Sequence, residues 1–271
     1  EMNIHVNFRN SFINQDDVTA LLPSLEIPTY KEYGVLHFDS LAYEGQPLNF
    51  ASNMLLQTDK GKVSGLVKMD LTGEDIVFDY QITTTNLNLM PIVGLNTNLN
   101  LDGSLKGIGF SPESLETSIQ VNAGESTIEG IFFSGFSIDA EGSNGIINTN
   151  VVFTSLQTQG KLNTNFDFTD TTTTKYNFDI ALNGFNINDF AKESGISSEL
   201  NISLKGDGEN FDMDKLNLFA VLEIDSSQLN EIQIDSTTLI ADIRSGDENR
   251  VINIISDLAD LTITGDFTLL E

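Results

Sequence analysis

One phrase occurs twice in this chain and constrains its fold more than any other feature. The first occurrence opens Phe78-Asp-Tyr80-Gln-Ile82, and the second opens Tyr176-Asn-Phe178-Asp-Ile180. In both, large apolar side chains alternate with polar ones, the period-2 signature of a strand with one buried face. Each strand runs into a short helix-like stretch, residues 89–93 in one and 188–194 in the other. A second strand follows and ends on matching letters, Leu105-Lys-Gly107-Ile-Gly109 and Leu204-Lys-Gly206-Asp-Gly208. The matched unit is roughly 100 residues, longer than a solenoid repeat but following the same logic of one supersecondary unit used again.

The rest of the chain arranges itself around this unit. Residues 1–72 read as a partial first β-repeat, 73–170 as a second and 171–271 as a third. In the first, Ile4, Val6 and Phe8 alternate with His5, Asn7 and Arg9. Residues 14–23 carry an Asn/Asp cap, helix formers and a terminating Pro23, a short-helix signature. Residues 35–38 and 48–50 read as short strands, and residues 63–71 close the copy. The second copy has a Pro turn at residues 111–115 and a tight turn at Gly142-Ser-Asn-Gly145. The third contains the longest alternation, Leu216, Leu218, Ala220, Leu222 and Ile224. Gly65, Gly160 and Gly265 occupy matching places in the closing strands and predict a shared bend.

Composition excludes some partners. The net charge is −27, from 40 acidic and 13 basic residues. Nucleic-acid binding needs clustered Lys and Arg to displace counterions, so no nucleic-acid partner is expected. Anionic lipid headgroups are repelled as well. The absence of cysteine excludes disulfides and thiolate metal sites. No run approaches the ~18 apolar residues of a membrane-spanning helix. Both ends of the chain fall inside strand patterns, so it reads as a section of a longer protein.

No reaction chemistry emerges. His5 and His37 lie on the polar phase of their strands and are expected in solvent. Gly103 to Gly109 spaces its glycines like a phosphate loop but has no helix behind it. Asp207, Glu209, Asp212 and Asp214 do not fit a calcium loop, and Phe211 falls where a ligand is needed. Acidic pairs are too common here to single out an acid/base couple. The expectation is a protein without enzymatic activity, cofactor or metal.

The informative surface is apolar. Phe78, Tyr80, Ile82, Tyr176, Phe178, Ile180 and Leu182 share a strand phase, as do Leu162, Phe166 and Phe168, and Phe267 and Leu269. Two arrangements satisfy such a face. A second sheet can seal it, as in a sandwich. Alternatively, one long, curved, twisted antiparallel sheet forms a groove whose interior is covered by something else, such as an acyl chain.

With the repeat laid out, the chain resembles the AsmA/TamB superfamily of Gram-negative envelope proteins. The resemblance is carried by residues 78–89, Phe-Asp-Tyr-Gln-Ile-Thr-Thr-Thr-Asn-Leu-Asn-Leu, and by residues 99–115, a strand, a Gly, a strand and a short Pro turn. Residues 176–208 repeat the pattern more loosely, and residues 35–71 are similar to the preceding half-unit. The resemblance implies a mainly β fold of repeated antiparallel strands, forming a long twisted groove with short helical pieces between strands. It implies a periplasmic location, held by an inner-membrane helix, and movement of phospholipid or other acyl lipid between the membranes. For TamB-like members it implies cooperation with an outer-membrane Omp85-type protein, through regions that no residue here matches. The groove candidates are then the twelve apolar residues named above. A cut groove also exposes sheet edges, where edge-to-edge self-association is expected. A structural or adhesive tandem β-sandwich of a bacterial surface protein is the alternative, since Thr/Asn-rich strands without Cys suit it equally well.

Overall fold

The computed structural model describes residues 2–14, 16, 31–109, 115–170, 172–191, 194–212, 214–246, 249–257 and 259–265. The expected helix over residues 14–23 and the Pro turn at 111–115 fall almost wholly outside these residues. The protein is mainly β, built from antiparallel strands with short helical turns between them. It divides into two compact units, Glu1–Phe110 with Glu116–Ser137, and Ser111–Leu115 with Ile138–Glu271.

The first unit is an antiparallel meander. β1 (Ile4–Ile13) pairs with β2 (Leu36–Gln46), β2 with β3 (Asn49–Thr58), and β3 with β4 (Gly61–Asp70). β4 pairs with β5 (Val77–Leu87), β5 with β6 (Thr97–Ile108), and β6 with β7 (Glu116–Ala123). The far end of β6 pairs with β8 (Ser126–Ile128), which pairs with β9 (Ile131–Phe133). β2 and β3 are much longer than the short strands expected at 35–38 and 48–50. A bulge between Phe38 and Ser40 breaks the alternation along β2, and Leu55 faces out of phase with Met54 and Leu56. Both hid the strands from a period-2 reading.

The second unit repeats the pattern. The chain enters it within β10 (Gly135–Ser143) and turns through Asn144 and Gly145. Both residues have positive φ (51° and 77°), the signature of a type I′ hairpin turn. The meander then runs β11 (Ile146–Ser155), β12 (Thr158–Asp167), β13 (Lys175–Phe185), β14 (Ser198–Glu209) and β15 (Asn217–Leu229). β15 carries the short β16 (Ile232–Ile234) at its end and pairs along its body with β17 (Thr237–Ser245). β18 (Arg250–Ser256) and β19 (Asp260–Gly265) complete the unit.

The two occurrences of the opening phrase do fold alike, as β5–helical turn–β6 and β13–helical turn–β14. The helical turns are Met90–Val93 and Ile187–Phe190. Both hairpins have a bulge at the same place, between Thr84 and Leu87 and between Leu182 and Phe185. Both are closed by the same polar network. Thr97 Oγ1 donates to Leu87 O (3.0 Å) and accepts from Leu89 N (2.9 Å). Ser198 Oγ donates to Phe185 O (3.1 Å) and accepts from Ile187 N (2.8 Å). Asn100 and Asn201 each brace the bulge through Oδ1, on Asn86 N (2.9 Å) and Gly184 N (3.1 Å). Each of these asparagines also donates its own backbone N–H to a serine oxygen, Ser126 Oγ (3.1 Å) or Ser227 Oγ (2.8 Å).

This network shows that the letter match was displaced. Gly107 lies opposite Phe78, whereas Gly208, and not Gly206, lies opposite Tyr176. The shared Leu-Lys-Gly letters are two residues out of structural register. An even shift leaves every side chain on its own face, so hydrophobic alternation could not reveal it.

A small closed core sits at the helical-turn end of the first unit. Tyr33, Leu87 and Leu99 are buried there, with Leu36, Val63, Leu89, Leu101 and Ile128 packed against them. Each buried leucine contributes about 1.5–3 kcal/mol relative to exposure.

Candidate functional site: the apolar strand face

Strand pairing sorts the side chains of each unit onto two faces. In the first unit, Phe78, Tyr80 and Ile82 stand beside Met69, Val67 and Gly65 on one side. On the other they stand beside Gly107, Leu105 and Gly103. The row through Tyr80 continues to Ile119 on β7. In the second unit, Phe166, Leu162 and Gly160 on β12 face Tyr176, Ile180 and Leu182 on β13. The rows extend through Leu204 and Ile202 on β14 to Leu222 and Ile224 on β15, then to Leu239 on β17. A parallel row carries Leu218, Ile243, Ile252 and Ile263.

These rows carry Thr and Ser as their polar residues. Among the described residues of the second unit, the one charged residue in phase with them is Arg250, at the margin, buried and 3.4 Å from Asp214. The opposite face is wet. Asn165 Nδ2 donates to Asn148 Oδ1 (2.8 Å) and Asn150 Nδ2 to Asn163 Oδ1 (2.6 Å), and Lys106–Asp79 and Lys205–Asp179 approach within 3.8 and 3.6 Å. The lysines of both pairs are solvent-exposed, and the pairs add little stability.

The apolar face is packed edge to edge within its own layer. Aromatic rings lie across glycines of the neighbouring strand. A Cβ on Gly107 would meet Phe78 Cζ at 2.8 Å, one on Gly206 would meet Phe178 Cζ at 2.6 Å, and one on Gly208 would meet the Tyr176 ring at 2.6 Å. Gly160 similarly leaves room for Phe153 on β11. The surroundings of two of the glycines expected to share a bend, Gly65 and Gly160, differ. Gly160 is a slot for a ring, while Gly65 is crowded by the Gln81 carbonyl.

Of the predicted face residues, Phe78 is buried at 3% exposure. Tyr80, Ile82, Leu162, Phe166, Phe168, Tyr176, Phe178, Ile180 and Leu182 are half-buried. Phe267 and Leu269 lie outside the described residues. Phe168 is one residue past β12 and stacks on Phe166 at 6.3 Å.

A further face residue escaped the sequence reading. Phe211, 57% exposed, leaves the β14–β15 connection and stacks on Tyr176 at 4.8 Å with a 10° interplanar angle. It also lies 6.0 Å from Phe166. Its neighbours in sequence, Glu209, Asp212 and Asp214, make the stretch read as a solvated turn, which concealed it. Burial raises the Tyr176 phenol pKa above its ordinary value.

His37 also departs from its expected solvent position. Its ring stacks on Phe12 at 4.4 Å, and Nε2 lies 3.5 Å from Asp39 Oδ1. No group of three or more His, Cys, Asp or Glu residues suited to a metal is found among the described residues.

Compared with known proteins, the chain matches no family model, no curated protein and no solved structure.

Proposed function

We propose that the chain is a periplasmic segment of an AsmA/TamB-like protein that carries phospholipid acyl chains along the apolar strand face between inner and outer membranes, supporting outer-membrane biogenesis. The observation that carries this reading is the row structure of the second unit. From Leu162 and Ile180 to Leu222 and Leu239, aliphatic side chains follow one another across five strands in a single layer. They stay half-buried, with no second sheet over them among the described residues of that unit. An acyl chain laid on such a row gains about 0.8 kcal/mol per buried CH₂ and needs no specific polar contact. Transport is passive: the tail slides from row to row, and the headgroup stays in water at the rim. The adhesive sandwich draws on a sealed core, and the single layer favours the lipid reading over it. Cooperation with an Omp85-type partner belongs to this proposal through the resemblance alone.

The test is native mass spectrometry of the purified chain, with lipid extraction of the same sample. Phospholipid should co-purify, and should be lost from an Ile180→Asp variant with an unchanged circular-dichroism spectrum. A lipid-free mass that takes up no added phospholipid would overturn the reading.

A further inference from the structure

The turn Leu89-Met-Pro-Ile-Val-Gly-Leu95 contains no polar side chain. Met90 is 51% exposed, Ile92 70%, Val93 55% and Leu95 45%. The backbone that displays them is fixed at both ends. Asn88 Oδ1 accepts from Met90 N (2.8 Å), Leu89 N donates to Thr97 Oγ1, and Gly94 closes the turn in the left-handed region at φ 73°. The fold does not ask for these side chains. The equivalent turn of the second unit has the same Asn and hydroxyl closure, through Asn186 and Ser198, yet there Asn188, Asp189, Lys192, Glu193 and Ser194 are interleaved with Ile187, Phe190 and Ala191. Aliphatic groups held rigidly in water, where a mixed polar and apolar version of the same turn exists, point to something outside the unit that covers them.

We infer that residues 89–95 form a membrane-contact tip that inserts Met90, Ile92, Val93 and Leu95 into the headgroup–acyl boundary of a neutral phospholipid surface. Size argues for lipid over protein. Four partly exposed aliphatic side chains on one turn offer on the order of 300 Å², well below the roughly 800 Å² that each partner gives to a stable protein interface. A bilayer asks for no matching surface and accepts a shallow apolar insertion of about 5–10 Å. Charge selects the headgroup. The segments hydrogen-bonded to the turn bring Lys60, whose carbonyl accepts from Asn88 N, and Glu129, whose carboxylate accepts from Asn96 N. Asp59 adjoins Lys60 in the same turn, so the collar has no basic excess. With the chain at −27, anionic lipid is disfavoured. The inference is independent of the acyl path, because tip and rows use different residues.

The experiment is flotation of the purified chain with phosphatidylcholine vesicles, beside vesicles containing phosphatidylglycerol. The wild-type chain should float with the neutral vesicles, and more weakly with the anionic ones at low salt. An Ile92→Asp/Val93→Asp variant should lose at least tenfold in apparent affinity with an unchanged circular-dichroism spectrum. Ile180→Asp should float as the wild type does while losing co-purified lipid, which separates the two proposals. The tip is refuted if the wild-type chain does not float, or if the double variant floats equally well. It is also refuted if sedimentation shows a dimer that the double variant dissociates, since the cover would then be a second copy.

Discussion

The Phe178 ring fills the space beside Gly206 on the neighbouring strand, with its Cζ 2.6 Å from where a Cβ would stand. The Phe219 carbonyl closes the same space at 2.7 Å and, being backbone, cannot move aside. Gly206→Ala should therefore destabilise the chain by about 1–3 kcal/mol through overpacking. Gly124→Ala, with nothing within 4 Å, should stay within about 0.5 kcal/mol. Urea titration of the two variants checks the contrast; equal midpoints would mean that the glycine slot is not required.

The hydroxyls that close the helical turns should matter in both units. Thr97 and Ser198 are buried, and each serves one carbonyl and one amide. Thr97→Val and Ser198→Ala should each cost about 1–3 kcal/mol, because the backbone partners are left unsatisfied. Hydrogen exchange at the Leu89 and Ile187 amides should quicken locally.

Phe211 and Tyr176 should be energetically coupled through their stack. A double-mutant cycle with Phe211→Ala and Tyr176→Ala should return about 1 kcal/mol, as aromatic pairs do. Additivity of the two changes would show that the ring rests on the face without stabilising it.

At alkaline pH, Tyr176 and Tyr33 should ionise later than free tyrosine. Burial raises both phenols above 10.0, with the Glu32 carboxylate adding to the rise at Tyr33. A raised folded-state pKa gives stability that is fully present below the ordinary value and lost as pH rises through the folded one. Denaturant midpoints should thus fall above about pH 10, and fall less in Tyr176→Phe. Absorbance at the tyrosinate band during titration identifies the late groups.

At acid pH the sign reverses. Hydroxyl and then amide hydrogen bonds from Thr72, Thr169 and Thr172 hold Asp70, Asp167 and Asp170 below 3.8. Their contribution is present above that ordinary value and disappears as pH falls through the folded pKa. Thr169→Val should return the Asp167 pKa towards 3.8, which carboxylate chemical shifts would report.

The class of the fold was legible in the sequence because alternation is a direct readout of one wet face. Phe78, Tyr80 and Ile82 announced β5, and Tyr176 to Leu182 announced β13. What the sequence concealed lay where backbone and polar side chains decide the geometry. The true correspondence of the copies depends on Asn100 with Asn201 and Thr97 with Ser198, residues too common in this chain to stand out. The full lengths of β2 and β3 were hidden by a bulge at Phe38 and by the outward Leu55. Of the candidate face, the described strand residues of each unit share a side, as their spacing requires. Phe211 was missed because its neighbours are acidic and its contact with Tyr176 crosses a connection.

The face-alternating ladder also limits how a gene of this kind can be edited. One codon inserted within β13 would send Ile180 and Leu182 to the wet side and bring Asp179 onto the apolar one. A pair of codons would leave the faces intact. The helical turns obey a looser rule, since nine positions separate Asn88 from Thr97 and twelve separate Asn186 from Ser198, with the same closure at each end. Viable length changes should therefore gather in these turns and appear inside strands in even numbers, which a deep insertion and deletion scan would display as a two-residue rhythm.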